Sequence, residues 1–208
     1  MTPIRLAEEL QAHVRLEALD FDAVRVRSRD DGLVRDLEQA AELARRAYAA
    51  IEVSAISSVR DVRQMYHATG TDPTKRRPSS EALLRRALQH KPLPQINTLV
   101  DCINLFSLRE LVPVGLYDRV RIHGSIECRL GFPSEPYAAI GREEFGIAGR
   151  LVLADELGAF GSPTSDSTRT MVTLETTAAL VIVFWPAGRV TASARLLSEL
   201  AQRYCSAE

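Results

Sequence analysis

Between Leu93 and Leu108, three side chains able to hydrogen-bond a small ligand, Asn97, Asp101 and Asn104, recur at steps of four and three residues. At about 100° per residue, that spacing sets them in one narrow stripe of a helix beginning after Pro94. The rest of the cylinder is apolar, with Ile96, Leu99, Val100, Ile103, Leu105, Phe106 and Leu108 covering most sides. A polar stripe on such a helix must find hydrogen-bond partners. Two readings satisfy it: the amides and the carboxylate line a pocket and read the amino and carbonyl groups of a ligand, or they form a buried network tying the helix to the preceding loop.

A second constellation precedes the first. From Asp72 to Lys91 six Lys/Arg face two acids, a local +4 in a chain whose formal net charge is −1. Lys75, Arg76 and Arg77 stand just ahead of a predicted helix, at the end that ordinarily favours anions. Pro78 suits its first position, Ser79 or Ser80 its exposed amides, and Leu83, Leu84, Ala87 and Leu88 its apolar stripe. Glu81, Arg85 and Arg86 then face outward, with Glu81 and Arg85 an i,i+4 pair. The cations fit either RNA phosphates, with helix amides as additional donors, or a solvated face with a structural arginine.

The polar run "SPTSDSTRT" (162–170) reads either as a substrate-lining loop or as a turn whose Ser, Thr and Asp cap their own backbone. Nucleophilic and metal chemistry find little support. There is no G-x-S-x-G elbow, His13, His67, His90 and His123 have no triad-like or HExxH company, and Cys102, Cys128 and Cys205 lack CxxC or metal-ligand spacing. No cofactor or metal is expected.

The elements that must position these groups follow from pattern. A short N-terminal helix is expected, then a strand in "FDAVRVRSR", a helix in "GLVRDLEQAAELARRAYAAIEV" and another over about 58–67, ended by Gly70 and Pro73. From Val112 the grammar turns to strands: "VPVGLYD", "RVRIHGSIECRLG", "PYAAIG", "RLVLADELGAF" and "MVTLETTAALVIVFW". An amphipathic helix, "VTASARLLSELAQRYCSAE", closes the chain. The pattern predicts one α+β domain, with a β-sheet core in the C-terminal half packed by helices from the N-terminal half and by the C-terminal helix. With 208 residues, 46% of them hydrophobic and 25% charged, the chain can bury a full core. Its longest apolar run, "AALVIVFW", is too short to span a membrane, and the N-terminus reads as neither a secretory nor a transit signal, so a cytoplasmic location is expected.

"LPQINTLVDCINLFSLRELVPVGLYDRVRIHGSIECRLG" resembles the editing (B3/B4) domain of the phenylalanyl-tRNA synthetase beta subunit. In that family a helix reading N-N-x-V-D-x-T-N-Y-V is followed by G-Q-P-L-H-A-F-D and then strands. Asn97, Val100, Asp101 and Asn104 match the first element; Pro113, Tyr117 (for Phe) and Asp118 match the second, with the same step from Asn104 to Asp118. The run Asp72 to Leu83 resembles the D-P-T-K-x-R-P-S-S-E-A-L of free-standing forms of the domain, and 208 residues leave no room for synthetase catalytic or anticodon domains. The resemblance covers about residues 60–185. It implies a tRNA partner met at its acceptor end, an aminoacyl group as the small ligand, and trans-acting hydrolysis of misacylated tRNA. It also divides the chain into residues 1–55, an N-terminal strand and helix part of the same domain, and 56–208, the B3/B4-like part.

On this expectation Asn104, Asp101 and Asp166 orient substrate or water. Asn97, Ser165, Ser167, Arg169 and Thr170 bind substrate, and Lys75, Arg76, Arg77, Arg85 and Arg86 engage phosphates. Non-catalytic binding of RNA or a small ligand is the alternative. The chain departs from the family pattern at Ile103 (for Thr), Gly115 (for His) and Ile182 (for Glu), and "SPTSDSTRT" replaces a Gly-rich loop.

Overall fold

The eight-residue run Ala179–Pro186 is wholly buried and forms strand β9, the centre of the architecture. A strand apolar on both faces needs a packed layer on each side, and β9 has them. Val181, Val183 and Trp185 point into a helical layer, while Leu180, Ile182 and Phe184 point into a core shared with a second sheet. The computed structural model describes residues 2–189 and 194–206.

β9 is flanked by β2 (Val14–Phe21) and β3 (Val114–Asp118), both antiparallel to it, in register from Val14↔Pro186 to Phe21↔Ala179 and from Val114↔Val183 to Asp118↔Ala179. The second sheet runs β1-β4-β7-β8, built from Ile4–Leu6, Ile126–Leu130, Leu151–Asp155 and Gly158–Gly161. β1 pairs parallel with β4, and the remaining pairs are antiparallel. A hairpin of β5 (Pro136–Ala139) and β6 (Arg142–Gly146) turns through Gly141 at φ +77°, the left-handed region that favours glycine.

The helical layer holds α1 (Asp31–Tyr48), α3 (Ser79–Leu88), α4 (Thr98–Glu110) and α5 (Arg195–Cys205). α4 lies innermost, with Leu99, Cys102, Leu105 and Phe106 fully buried and Phe106 edge-on to Trp185 at 6.1 Å. This explains why its sequence is apolar nearly all round. α2 (Ser57–Ala68) sends Val62, Met65 and Tyr66 into the core between the sheets. Gly70, at φ +81°, follows its end. Residues 1–55 thus supply one strand to each sheet as well as α1.

The α+β architecture stands as the pattern predicts, with several local corrections. The N-terminal segment is strand β1 and a 3-10 turn at Glu8–Leu10, not a helix, because Ile4–Leu6 finds a partner in Ile126–Cys128. The strand expected in "FDAVRVRSR" ends at Phe21: Ala23 takes φ +54° and turns the chain, leaving Val24 and Val26 to pack against helices. β6 has no counterpart in the sequence reading. Pro78 caps α3 rather than opening it. Of the expected C-terminal helix, residues 190–193 and 207–208 lie outside the described residues.

Candidate functional site

The polar stripe divides at the first turn of α4. Asn97 is the N-cap, extended at φ −163°, and its side-chain oxygen accepts from the Val100 amide at 2.9 Å. Asp101 reaches back, its Oδ1 accepting from the Ile96 amide at 3.0 Å. The two bonds form a reciprocal clamp on the helix entry. Burial pushes the Asp101 carboxyl above the usual range, against the opposing Ile96 bond. Through this bond Asp101 ties the helix to the loop, as in the network reading, and it does not border the cavity described next.

One turn on, Asn104 behaves differently. It is half-buried, and among the described residues its amide has no hydrogen-bond partner. It faces a cavity of about 310 Å³, walled by α4 (with Val100, Ile103 and Ser107), by Val114 and Leu116 of β3, and by the segment carrying Asp166, Met171 and Val172. The α4 residues share one face by their steps of three and four, and the β3 residues alternate onto one side of the strand. Asn97 also borders the cavity. Exposed Ser79, Ile96 and Ile140 mark its mouth.

Of the "SPTSDSTRT" residues, Asp166 alone lines this cavity. The turn reading accounts for its neighbours. Ser162 Oγ accepts from the amides of Thr164 and Ser165 at 3.3 and 3.1 Å, and the Ser165 carbonyl receives the Tyr137 hydroxyl. Ser167 Oγ donates to the Ala138 carbonyl at 3.2 Å, and Thr170 Oγ1 to the Phe160 carbonyl at 3.4 Å. Arg169 forks onto Asp155 with two bonds of 2.9 Å. Ser165, Ser167, Arg169 and Thr170 thus build the loop and do not line the cavity. The Tyr66 hydroxyl of α2 fixes its start through the Pro163 carbonyl.

Asp166 is half-buried as a residue, but its Oδ1 is fully covered and has no hydrogen-bond partner among the described residues. Burial pushes its pKa up to about 7, against the lowering influence of the Tyr117 hydroxyl and the amides of Leu116 and Ser162. The Tyr117 hydroxyl is likewise buried, and among the described residues it meets no partner at full hydrogen-bond geometry, Asp166 being the carboxyl within its influence. Burial and the nearby Asp166 charge hold its pKa well above the ordinary tyrosine value. Gly115 and Gly161 accommodate this ring: a Cβ on either would collide with it and with its hydroxyl. The Tyr117 hydroxyl thus occupies space that a side chain at 115 would need. Ile182, by contrast, is buried between the sheets and does not line the cavity.

The basic cluster is partly consumed by structure. Glu81, expected outward, is buried at 1% side-chain exposure, because three arginines converge on it. Arg63 of α2 forks onto it with two 2.8 Å bonds, Arg85 bonds it at 2.8 Å, and Arg77 stands 3.7 Å away. Burial works against the Glu81 charge, but the Arg63 and Arg85 bonds outweigh it and hold the carboxyl below the usual range. Arg86 is turned onto the Pro92 carbonyl at 2.7 and 3.1 Å, and Arg76 lies over the Phe145 ring at 4.5 Å. Lys75 and Arg77 remain exposed. They precede Ser79 of the cavity mouth by four and two residues, and Arg77 is at the same time within ion-pair distance of Glu81.

Sequence reasoning missed Tyr117 as the buried neighbour of Asp166 behind the cavity wall and Arg63 as the main partner of Glu81. The usable signal for the first was the departure at Gly115, two residues before the tyrosine; for the second there was none, since Arg63 belongs to another helix. Among the described residues, no group of three or more His, Cys, Asp or Glu side chains is placed to hold a metal ion, and no helix is long and apolar enough to cross a membrane.

The model of one family, the B3/4 domain, matches residues 61–205. Among solved structures, the chain is similar to an N-terminal fragment of the phenylalanyl-tRNA synthetase beta subunit from Pyrococcus horikoshii, at 13% identity and a TM-score of 0.50. The match covers 98% of this chain and 49% of that one, so the chain spans about half of the fragment's length. At that identity the likeness is one of fold. No curated protein matches the chain.

Proposed function

Because the chain belongs to the B3/4 domain family, a domain related to phenylalanyl-tRNA synthetase, we propose that it binds tRNA and hydrolyses a wrongly attached aminoacyl group at its 3′ end. One observation carries the reading. The cavity is bordered by a carboxyl, Asp166, and by a carboxamide with no partner among the described residues, Asn104, and Ser79 at its mouth follows exposed Lys75 and Arg77 by four and two residues. An aminoacyl-tRNA presents the complementary set: an ammonium, an ester carbonyl, a side chain and a chain of phosphates.

The ester is already activated, so no protein nucleophile is required. Asp166 accepts the ammonium, and the Asn104 amide donates to the carbonyl oxygen as negative charge develops there during attack by water. The attacking water gives up a proton to solvent, the ester C–O bond breaks, and the ribose oxygen leaves with a proton from solvent. Asn97 and Asp101 hold the helix turn that aims Asn104 and act as positioning residues. Lys75 and Arg77 meet the phosphates.

The test is a panel of misacylated tRNAs incubated with purified protein. At least one ester is released faster than its spontaneous rate, and Asn104→Ala slows that release by about 10²-fold, the effect of losing one oxyanion donor. If the wild-type protein binds the tRNAs and releases no ester, the domain is a binding module and the hydrolytic reading falls.

A further inference from the structure

The chemical class of the amino acid can be read from the cavity walls, an inference that rests on the function proposed above. Val100 and Ile103 of α4, Val114 and Leu116 of β3, and Met171 and Val172 after the polar loop present hydrocarbon to the cavity. The polar groups among them are largely spent. The Asn97 oxygen holds the Val100 amide, and the Ser107 hydroxyl donates to the Val112 carbonyl at 2.7 Å. Asn104 and Asp166 are left for the carbonyl and ammonium, which every aminoacyl group carries. The part that varies between amino acids therefore meets an apolar wall. At about 310 Å³ the cavity is at the small end of ligand pockets, in scale with a single aminoacyl group.

We propose that this pocket takes an aliphatic aminoacyl group and selects against isosteres bearing a side-chain hydroxyl. A hydroxyl carried into it leaves water for a wall that is mostly hydrocarbon, which an apolar pocket penalises by about 10²-fold in rate.

Valine and threonine differ by a methyl against a hydroxyl, so they isolate this term. One tRNA transcript charged chemically with valine, threonine or tyrosine is assayed for single-turnover release. The same three groups are attached through a 3′-amide that cannot hydrolyse, and their affinities are measured. Valyl ester is expected to be released about 10²-fold faster than threonyl, with valyl amide the tighter ligand. Ile103→Thr, or Val172→Thr should the first fail to show a cooperative melt, reduces that ratio about tenfold.

Equal handling of valyl and threonyl groups, or fastest release of tyrosine, overturns the inference while leaving hydrolysis intact. If no ester is cleaved but valyl amide still binds more tightly than threonyl, hydrolysis is refuted and the pocket's selectivity stands. Equal amide affinities with no cleavage refute both.

Discussion

A carboxyl whose Oδ1 is buried without a partner should reveal itself in the pH dependence of stability. Asp166 has its pKa raised from the ordinary 3.8 to about 7, chiefly by burial. Between those values the folded protein keeps a proton that the unfolded chain releases, so this group's contribution to stability falls as pH rises and levels off above about 7. Asp166→Asn removes the titration. The melting temperature of the variant relative to wild type should be several degrees higher at pH 8 than at pH 5, since about 1 kcal/mol moves the midpoint of a domain this size by roughly 2–4 °C. Melting curves followed by circular dichroism at the two pH values measure the difference, in which other titrating groups cancel. A constant offset would show that Asp166 is not held in a dry environment. Nothing local in "SPTSDSTRT" separates Asp166 from Ser165 or Ser167. Its distinction arises when the turn's own bonds, together with Tyr66 and Tyr137, direct that one side chain toward α4 and β3.

At the scale of elements, α4 separates two asparagines that the sequence placed in one stripe. Asn97 caps the helix, so Asn97→Ala should cost about 1 kcal/mol and lower the melting temperature by roughly 2–4 °C. Asn104→Ala should leave the melt unchanged within about 1 °C, because no bond within the described residues is lost. Parallel thermal melts check this, and an equal loss in both would return Asn104 to the structural network. α1, α2, α4 and β9 were legible because each carries its burial pattern within its own residues. β1 was not: its partner Ile126–Cys128 lies more than a hundred residues away, and a three-residue strand has no periodicity to read. The burial of Glu81 was hidden for the same reason. A carboxylate at that position of an amphipathic helix normally faces water, and it is Arg63 on α2, at 2.8 Å, that makes an inward position tolerable.

At the scale of the molecule, a formal net charge of −1 conceals a basic segment of +4, and packing narrows that segment further. Arg85 bonds Glu81 and Arg86 a carbonyl, leaving Lys75 and Arg77 exposed, four and two residues ahead of Ser79 at the cavity mouth. Two parts of one ligand should therefore be read separately: phosphates by the rim, in a salt-dependent way, and the aminoacyl group by the pocket. The most direct measurement is the affinity for one tRNA, uncharged and carrying a non-hydrolysable aminoacyl amide, over a salt series, for wild type, Asn104→Ala and the double variant Lys75→Glu/Arg77→Glu. Wild type should bind the charged form more tightly. Asn104→Ala should lose that increment and keep the salt dependence, and the double reversal should weaken both forms and flatten the salt slope by about 1–2. Charged and uncharged tRNA bound alike by wild type, with a slope untouched by the reversal, would contradict the account.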